Sequence, residues 1–80
     1  MRKVTISAKN GLHARPAAEL VKLAASSEGD VTITKGEREV SAKSIMRLMS
    51  LGILQGDEVC IKAEEAGLAD RLAEFLEQME

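Results

Sequence analysis

The chain has 80 residues, of which 45% are hydrophobic and 30% are charged, and its formal net charge is −2. This composition is typical of a globular domain and excludes a disordered segment, and no run approaches the ~18 apolar residues of a membrane span. The single Cys60 excludes an intrachain disulfide, and one His with one Cys argues against a zinc site. We expect one domain over residues 1–80, without metal or cofactor, in the cytoplasm because no signal-peptide pattern is visible.

The first half of the chain predicts a strand, a helix and a hairpin. Residues 2–8 alternate between polar and apolar side chains, which is typical of a half-buried strand. Residues 14–26 place apolar side chains at helical spacing. The runs VTITK and REVSA lie on either side of a turn that contains Gly36, and they predict a β-hairpin.

The second half adds a short helix, a strand and a longer helix. Residues 43–52 predict a helix that begins after a capping Ser44 and ends at Gly52, and residues 57–64 alternate as a strand does. The last segment has apolar residues at helical spacing: Leu68, Leu72, Phe75 and Met79. The order βαββαβα predicts an α/β fold of the α+β type, an open-faced β-sandwich whose four-stranded antiparallel sheet is covered on one face by three helices.

The only histidine stands in the segment NGLHARPAA, residues 10–18. Asn-Gly marks a turn, and a helix that begins near Ala14 places His13 at its N-cap, with Pro16 in the first turn. A helix N-terminus binds anions, Arg15 can hold phosphate in a bidentate manner, and residues 1–27 carry a net charge of +4. The helix N-terminus and the Arg15 side chain both disfavour a protonated His13 imidazole. We therefore expect His13 to accept a phosphoryl group, with Ala14, Arg15 and Pro16 as the phosphate-binding segment.

Two other interpretations of His13 remain open at this point. The residue could be an imperfect N-cap beside a surface arginine, because short His-x-Arg strings are common. It could also act as a general acid or base, although no carboxylate lies at a related spacing. The basic segment is too weakly charged, and too poor in aromatic residues, to indicate nucleic-acid binding.

A second candidate site lies on the short helix. Five of the seven residues from 45 to 51 are apolar, and so short a helix on one face of a sheet cannot bury its whole circumference. Exposed apolar residues mark contact surfaces, and methionine adapts to differently shaped partners. We expect a partner-binding surface at Ile45, Met46, Met49 and Ser50; the alternative is that Met46 and Met49 fill gaps in the core.

Taken together, GLHARPAA, the later SAKSIMRLMSLG and the βαββαβα order resemble the HPr family. These are the histidine-containing phosphocarrier proteins of the bacterial phosphoenolpyruvate-dependent sugar phosphotransferase system. The resemblance implies that His13 receives phosphate on Nδ1 from phospho-enzyme I and passes it to IIA domains of sugar permeases, with Arg15 neutralising the phosphate. It implies a monomeric carrier protein and not an enzyme.

The resemblance also gives Ser44 a regulatory role. Ser44 matches the serine that an ATP-dependent HPr kinase/phosphorylase modifies in many Gram-positive bacteria, where the modified protein is a corepressor for a catabolite-control repressor. A helix-capping serine needs no such role. Two alternatives to sugar transport remain, namely a regulatory or nitrogen-branch relative in another phosphorelay, and an interaction module that is never phosphorylated.

Overall fold

A four-stranded antiparallel sheet forms one layer of the protein in a computed structural model that describes residues 1–79. Its strands are β1 (Arg2–Thr5), β2 (Val31–Lys35), β3 (Arg38–Ser41) and β4 (Glu58–Ala63). They stand in the order β1-β4-β2-β3, and every neighbouring pair is antiparallel. The predicted sheet is therefore confirmed, with the N-terminal strand at one edge and β3 at the other.

The strand register explains why one face of the sheet is apolar. Val4 pairs with Val59, and Ile33 pairs with both Ile61 and Val40. Residues paired directly across an antiparallel ladder project to the same face, so these five β-branched side chains form one surface. All five are buried, because three helices cover this face.

The helices are α1 (Ala14–Ala25), α2 (Ile45–Met49) and α3 (Leu68–Gln78). Helix α3 packs on β1 and β4, α2 packs on β3, and α1 contacts both other helices. The buried apolar residues of sheet and helices form one cluster, so the predicted open-faced sandwich is confirmed. None of the helices within residues 1–79 has the length and apolar character needed to cross a lipid bilayer.

The first strand is shorter than predicted. The alternation continues to Ala8, and Val4, Ile6 and Ala8 are all buried as expected, but β1 ends at Thr5. The Ile6 N–H donates to the Asp57 carbonyl at 2.8 Å, and the Ile6 carbonyl accepts from Gly56 N–H at 2.7 Å. Residue 6 thus pairs with a loop and not with a strand, and this pairing turns the chain toward α1.

The apolar stripe of α3 is rotated from its predicted position. Leu68 and Leu72 are buried as predicted, but the stripe continues through Ala73 and Leu76. Phe75 and Met79 pack only partly against the core. Phe75 and Met79 are therefore half-buried at the edge of the stripe, because spacing alone does not define which edge of a wide stripe faces the sheet.

Candidate functional site

His13 is the N-cap of α1, as its position after Asn-Gly predicts. Its backbone is extended, with φ −91° and ψ −178°, and its carbonyl accepts the first helical hydrogen bond from Ala17 N–H at 3.0 Å. The imidazole makes no capping hydrogen bond and is exposed. Its Nδ1 lies 3.5 Å from the Gly11 carbonyl oxygen, at the limit of a hydrogen bond. The ring is thus accessible and weakly held.

The first turn of α1 has backbone and side-chain N–H donors that find no acceptor among residues 1–79. The backbone N–H groups of Ala14 and Arg15 donate to no residue in the range 1–79, and Pro16 has no N–H to satisfy. The Arg15 side chain is exposed and forms no ion pair with any acid in this range. Amides and guanidinium are therefore available to an anion beside His13.

His13 and Arg15 open on a shared groove with a volume of about 400 Å³. One wall comes from the start of α1 and the other from the end of α3, and the lining residues are Gly11, His13, Arg15, Pro16, Glu19, Phe75, Gln78 and Met79. The α3 side of the groove was missed from the sequence. Its residues lie about sixty positions from His13, and only the packing of α3 against α1 brings them there.

The loop before His13 is tightly packed against the loop that follows α2. Gly11 has φ +61°, and a Cβ placed there would lie 2.3 Å from the Ile53 carbonyl oxygen and 2.8 Å from Leu54 Cα. Leu12 N–H donates to that Ile53 carbonyl at 3.1 Å. Only glycine fits this approach. The Gly in NGLHARP therefore fixes the segment that delivers His13 to the helix.

The short helix exposes the residues that its composition predicts. Leu48 and Leu51 are buried, whereas Met46 is 82% exposed and Ile45 and Met49 are each 39% exposed. The alternative that Met46 and Met49 fill gaps in the core is wrong for Met46, and it holds only for the buried part of the Met49 side chain. These side chains form an apolar patch on α2.

Ser50 is exposed, but its polar groups are already engaged. Its Oγ donates to the Arg47 carbonyl at 2.5 Å and accepts from Arg38 Nη2 at 3.1 Å. Arg38 Nη1 also donates to the Ser50 carbonyl at 2.8 Å. Ser50 therefore fixes the C-terminal end of α2, and its placement in the partner-binding set stays a prediction.

Leu54 is an exposed apolar residue that the sequence pattern did not reveal. It is 63% exposed, and its Cα lies beside Gly11. It adds an exposed apolar side chain next to the loop that carries His13. An isolated leucine between Gly52 and Gly56 belongs to no periodic pattern, although a bulky apolar side chain in a glycine-bounded turn is itself a signal.

Ser44 caps α2 as predicted. Its Oγ accepts from Arg47 N–H at 3.3 Å, and its backbone is extended, with φ −117° and ψ 113°. The residue is half-buried. Capping is thus sufficient to explain a serine here, and a regulatory role needs separate support. No group of three His, Cys, Asp or Glu side chains within residues 1–79 is arranged to hold a metal ion.

Comparison with known proteins adds independent findings. The family model described as "PTS HPr component phosphorylation site" matches residues 1–80. The phosphocarrier protein HPr of Vibrio cholerae is 46% identical over 63 residues, which cover 79% of this chain and 74% of that protein. The crystal structure of HPr from Bacillus anthracis superposes with a TM-score of 0.86 at 40% identity and covers 94% of this chain and 93% of its own.

A third relative bears on the assembly of the fold. The catabolite repression protein Crh of Bacillus subtilis superposes with a TM-score of 0.77 at 37% identity, over 100% of this chain and 95% of its own. Its crystal structure is described as a domain-swapped dimer. In this relative, copies of the same fold thus exchange a segment.

Proposed function

The chain belongs to the HPr family of the phosphotransferase system, and from this premise we propose that it carries its phosphoryl group on His13. Members of this family are phosphocarrier proteins and not enzymes, and their partners are components of the same system, such as enzyme I and IIA domains. The observation that carries the assignment to His13 is its position as an exposed N-cap beside two backbone amides and an Arg15 side chain that have no partner within residues 1–79.

The proposed chemistry is a reversible transfer of a phosphoryl group between phospho-enzyme I and the Nδ1 atom of His13. The reactive form of the ring is the tautomer with its proton on Nε2, because Nδ1 then has a free electron pair; Nδ1 attacks the phosphorus while the bond from phosphorus to the donor group of phospho-enzyme I breaks and its electron pair stays with that donor group. Transfer to a IIA domain reverses this sequence. With the proton on Nε2, Nδ1 has no hydrogen to donate to the Gly11 carbonyl 3.5 Å away, so no hydrogen bond is lost when Nδ1 takes the phosphoryl group.

The helix end and Arg15 neutralise the charge that the phosphoryl group brings. A helix terminus contributes about 0.3–1 kcal/mol to an adjacent anion, which orients the group without trapping it. A hydrogen bond to a charged group contributes about 1.5–3 kcal/mol. We expect Arg15→Ala to slow phosphorylation about 10- to 100-fold, and Arg15→Lys to recover part of that loss because it keeps the charge but not the bidentate geometry.

Phosphorylation in vitro tests the proposal. The protein is mixed with phosphoenolpyruvate and enzyme I, and the product is examined for an acid-labile, alkali-stable phosphate. We expect one phosphate on the unmodified protein, none on His13→Ala, and discharge when a sugar-specific IIA domain is added. Label on His13→Ala would place the acceptor elsewhere, and label that only a nitrogen-branch IIA domain removes would assign the chain to another phosphorelay.

The exposed apolar residues of α2, with Leu54, are proposed as the surface that partners contact. We define this α2 patch as Ile45, Met46, Met49 and Leu54. The position of Leu54 supports the proposal, because its Cα lies beside Gly11 and a partner that contacts Leu54 comes close to the loop that carries His13. Ser44 is proposed as a modification site at the edge of the same surface.

A phosphate on Ser44 favours α2 but opposes docking. Negative charge at a helix N-terminus is stabilising, and the same charge beside the α2 patch repels an acidic partner. Mass spectrometry after incubation with an HPr kinase and ATP tests the site, with Ser44→Ala as the control. An unmodified Ser44, or modification of Ser50 in its place, would contradict this part of the proposal, and with it binding to a catabolite-control repressor.

Two further properties belong to the proposal, a monomeric state and a cytoplasmic location. The apolar face of the sheet is covered by the chain's own helices, which supports a monomer. Size-exclusion chromatography with light scattering tests this, and a dimer would indicate a segment exchange of the kind described for Crh. Fractionation of the host cells tests the location.

A further inference from the structure

We propose that Asp57 is a positioning residue for His13, acting through the loop of residues 52–57. The proposal rests on the function proposed above, since it concerns the rate at which His13 accepts phosphate. Asp57 does not contact His13. It holds one loop, that loop holds the segment before His13, and each contact in this series is present in the structure.

The first step is the attachment of Asp57 to its own loop. Its Oδ2 accepts from Leu54 N–H at 2.7 Å and forms an ion pair with Lys35 Nζ at 2.8 Å. Lys35 Nζ also donates to the Gly52 carbonyl at 2.8 Å. The hydrogen bond from Lys35, with that from Leu54 N–H, lowers the pKa of the Asp57 carboxyl. One carboxylate and one ammonium from β2 thus fix the middle and the start of the loop.

The second step is the contact between this loop and the segment before His13. The Ile53 carbonyl accepts Leu12 N–H at 3.1 Å, immediately before His13, and the same oxygen packs against Gly11 without room for a Cβ. Gln55 Nε2 donates to the Ser7 carbonyl at 3.1 Å. A shift of the loop is therefore transmitted to Leu12 and Gly11 directly, because no gap separates the two backbones.

The third step concerns the ring itself. Among residues 1–79 the His13 side chain makes no capping hydrogen bond, and its single polar contact there is the long one to the Gly11 carbonyl. Its location is therefore set by the backbone of Gly11 and Leu12. Phosphoryl transfer needs close alignment, and a misplacement of about 1 Å can lower a rate by as much as about 100-fold. Asp57 and Lys35 are suited to this function, because their side chains are only 28% and 31% exposed and are screened less than a surface pair.

The experiment compares two substitutions at Asp57 with a matched ion pair elsewhere. Asp57→Asn keeps an acceptor for Leu54 N–H but loses the charge, and Asp57→Ala loses both contacts. The control is Asp70→Asn, which removes an ion pair of the same 2.8 Å length between Arg2 and α3. Two quantities are measured at a temperature at which all variants are folded, namely hydrogen exchange of the Leu12 amide and the kinetics of phosphorylation by enzyme I.

We expect exchange at Leu12 to accelerate about tenfold in Asp57→Ala, less in Asp57→Asn and not at all in Asp70→Asn. The kcat for phosphorylation should fall in the same order, by about tenfold in Asp57→Ala. Unchanged exchange at Leu12 overturns the proposal. A rise in KM alone also overturns it, because the loop would then position Leu54 for docking and not His13.

The two hypotheses fail in different ways. If the unmodified protein is not phosphorylated, the carrier function on His13 is wrong, whereas the exchange data still report whether Asp57 holds Leu12. If the unmodified protein is phosphorylated, and Asp57→Ala shows the same Leu12 exchange rate and the same phosphorylation kinetics as the unmodified protein, only the positioning role of Asp57 is wrong.

Discussion

Replacing Gly11 by alanine imposes two separable costs on the segment that carries His13. The first is conformational, because φ is +61° and a residue with a Cβ loses about 1–2 kcal/mol in the left-handed region. The second is steric, because the new Cβ would lie 2.3 Å from the Ile53 carbonyl oxygen. Gly36 offers a matched control, since it also has φ +61° but a Cβ there meets nothing within 4 Å.

The steric cost is set by how far the two loops must separate. Ordinary contact begins near 3.4 Å, so an approach of 2.3 Å requires a displacement of roughly 1 Å. Such a shift breaks the hydrogen bond from Leu12 to Ile53, about 1 kcal/mol, and adds packing strain of about 1–3 kcal/mol. We expect Gly36→Ala to lower the free energy of unfolding by about 1–2 kcal/mol, and Gly11→Ala by about 2–4 kcal/mol more.

Urea denaturation followed by circular dichroism measures both variants against the unmodified protein. The Gly11→Ala protein that remains folded should also accept phosphate from enzyme I more slowly, whereas Gly36→Ala should not. Equal losses of stability in the two variants would show that the loops at Gly11 and Ile53 are not in close contact, and the account of how His13 is held would be wrong.

Four other substitutions probe the core, the exposed surface of α2, the cap and the ion pair. Leu76→Ala empties a fully buried position and should lower the free energy of unfolding by about 2–5 kcal/mol. Met46→Ala should change the free energy of unfolding by less than about 0.5 kcal/mol and weaken enzyme I binding about 5- to 30-fold in titration calorimetry. The reverse pattern would contradict the assignment of Leu76 to the core and of Met46 to the surface. Ser44→Ala should cost about 0.5–2 kcal/mol in urea denaturation because Arg47 N–H loses its acceptor, and an unchanged midpoint would refute the cap. The lowered pKa of Asp57 stabilises the folded state above the carboxyl's ordinary value of 3.8, and this contribution is lost as the pH falls through the folded-state pKa. The stability difference between the unmodified protein and Asp57→Asn should therefore shrink as the pH is lowered through and beyond the carboxyl's ordinary value, and a constant difference would argue against the pair with Lys35.

The sequence determined the order of elements and the local chemistry of each segment. Alternation and helical spacing depend on side chains that are close in the chain, so the strands, the caps at His13 and Ser44 and the exposure of Met46 were predictable. The family, too, was identifiable from its two motifs, and the comparisons confirm it. The roles of His13, Arg15 and Ser44 remain predictions that the experiments above address.

Only the tertiary structure decided which distant segments meet at His13. The α3 wall of the groove, the contact of Gly11 with Ile53 and the ion pair of Lys35 with Asp57 join residues more than twenty positions apart. Local periodicity carries no information on such pairs, because they depend on the strand register and on the rotation of each helix about its axis. The rotation of α3 is the plainest case: helical spacing placed Phe75 and Met79 on the inner stripe, but they are only partly buried, whereas Ala73 and Leu76 are fully buried.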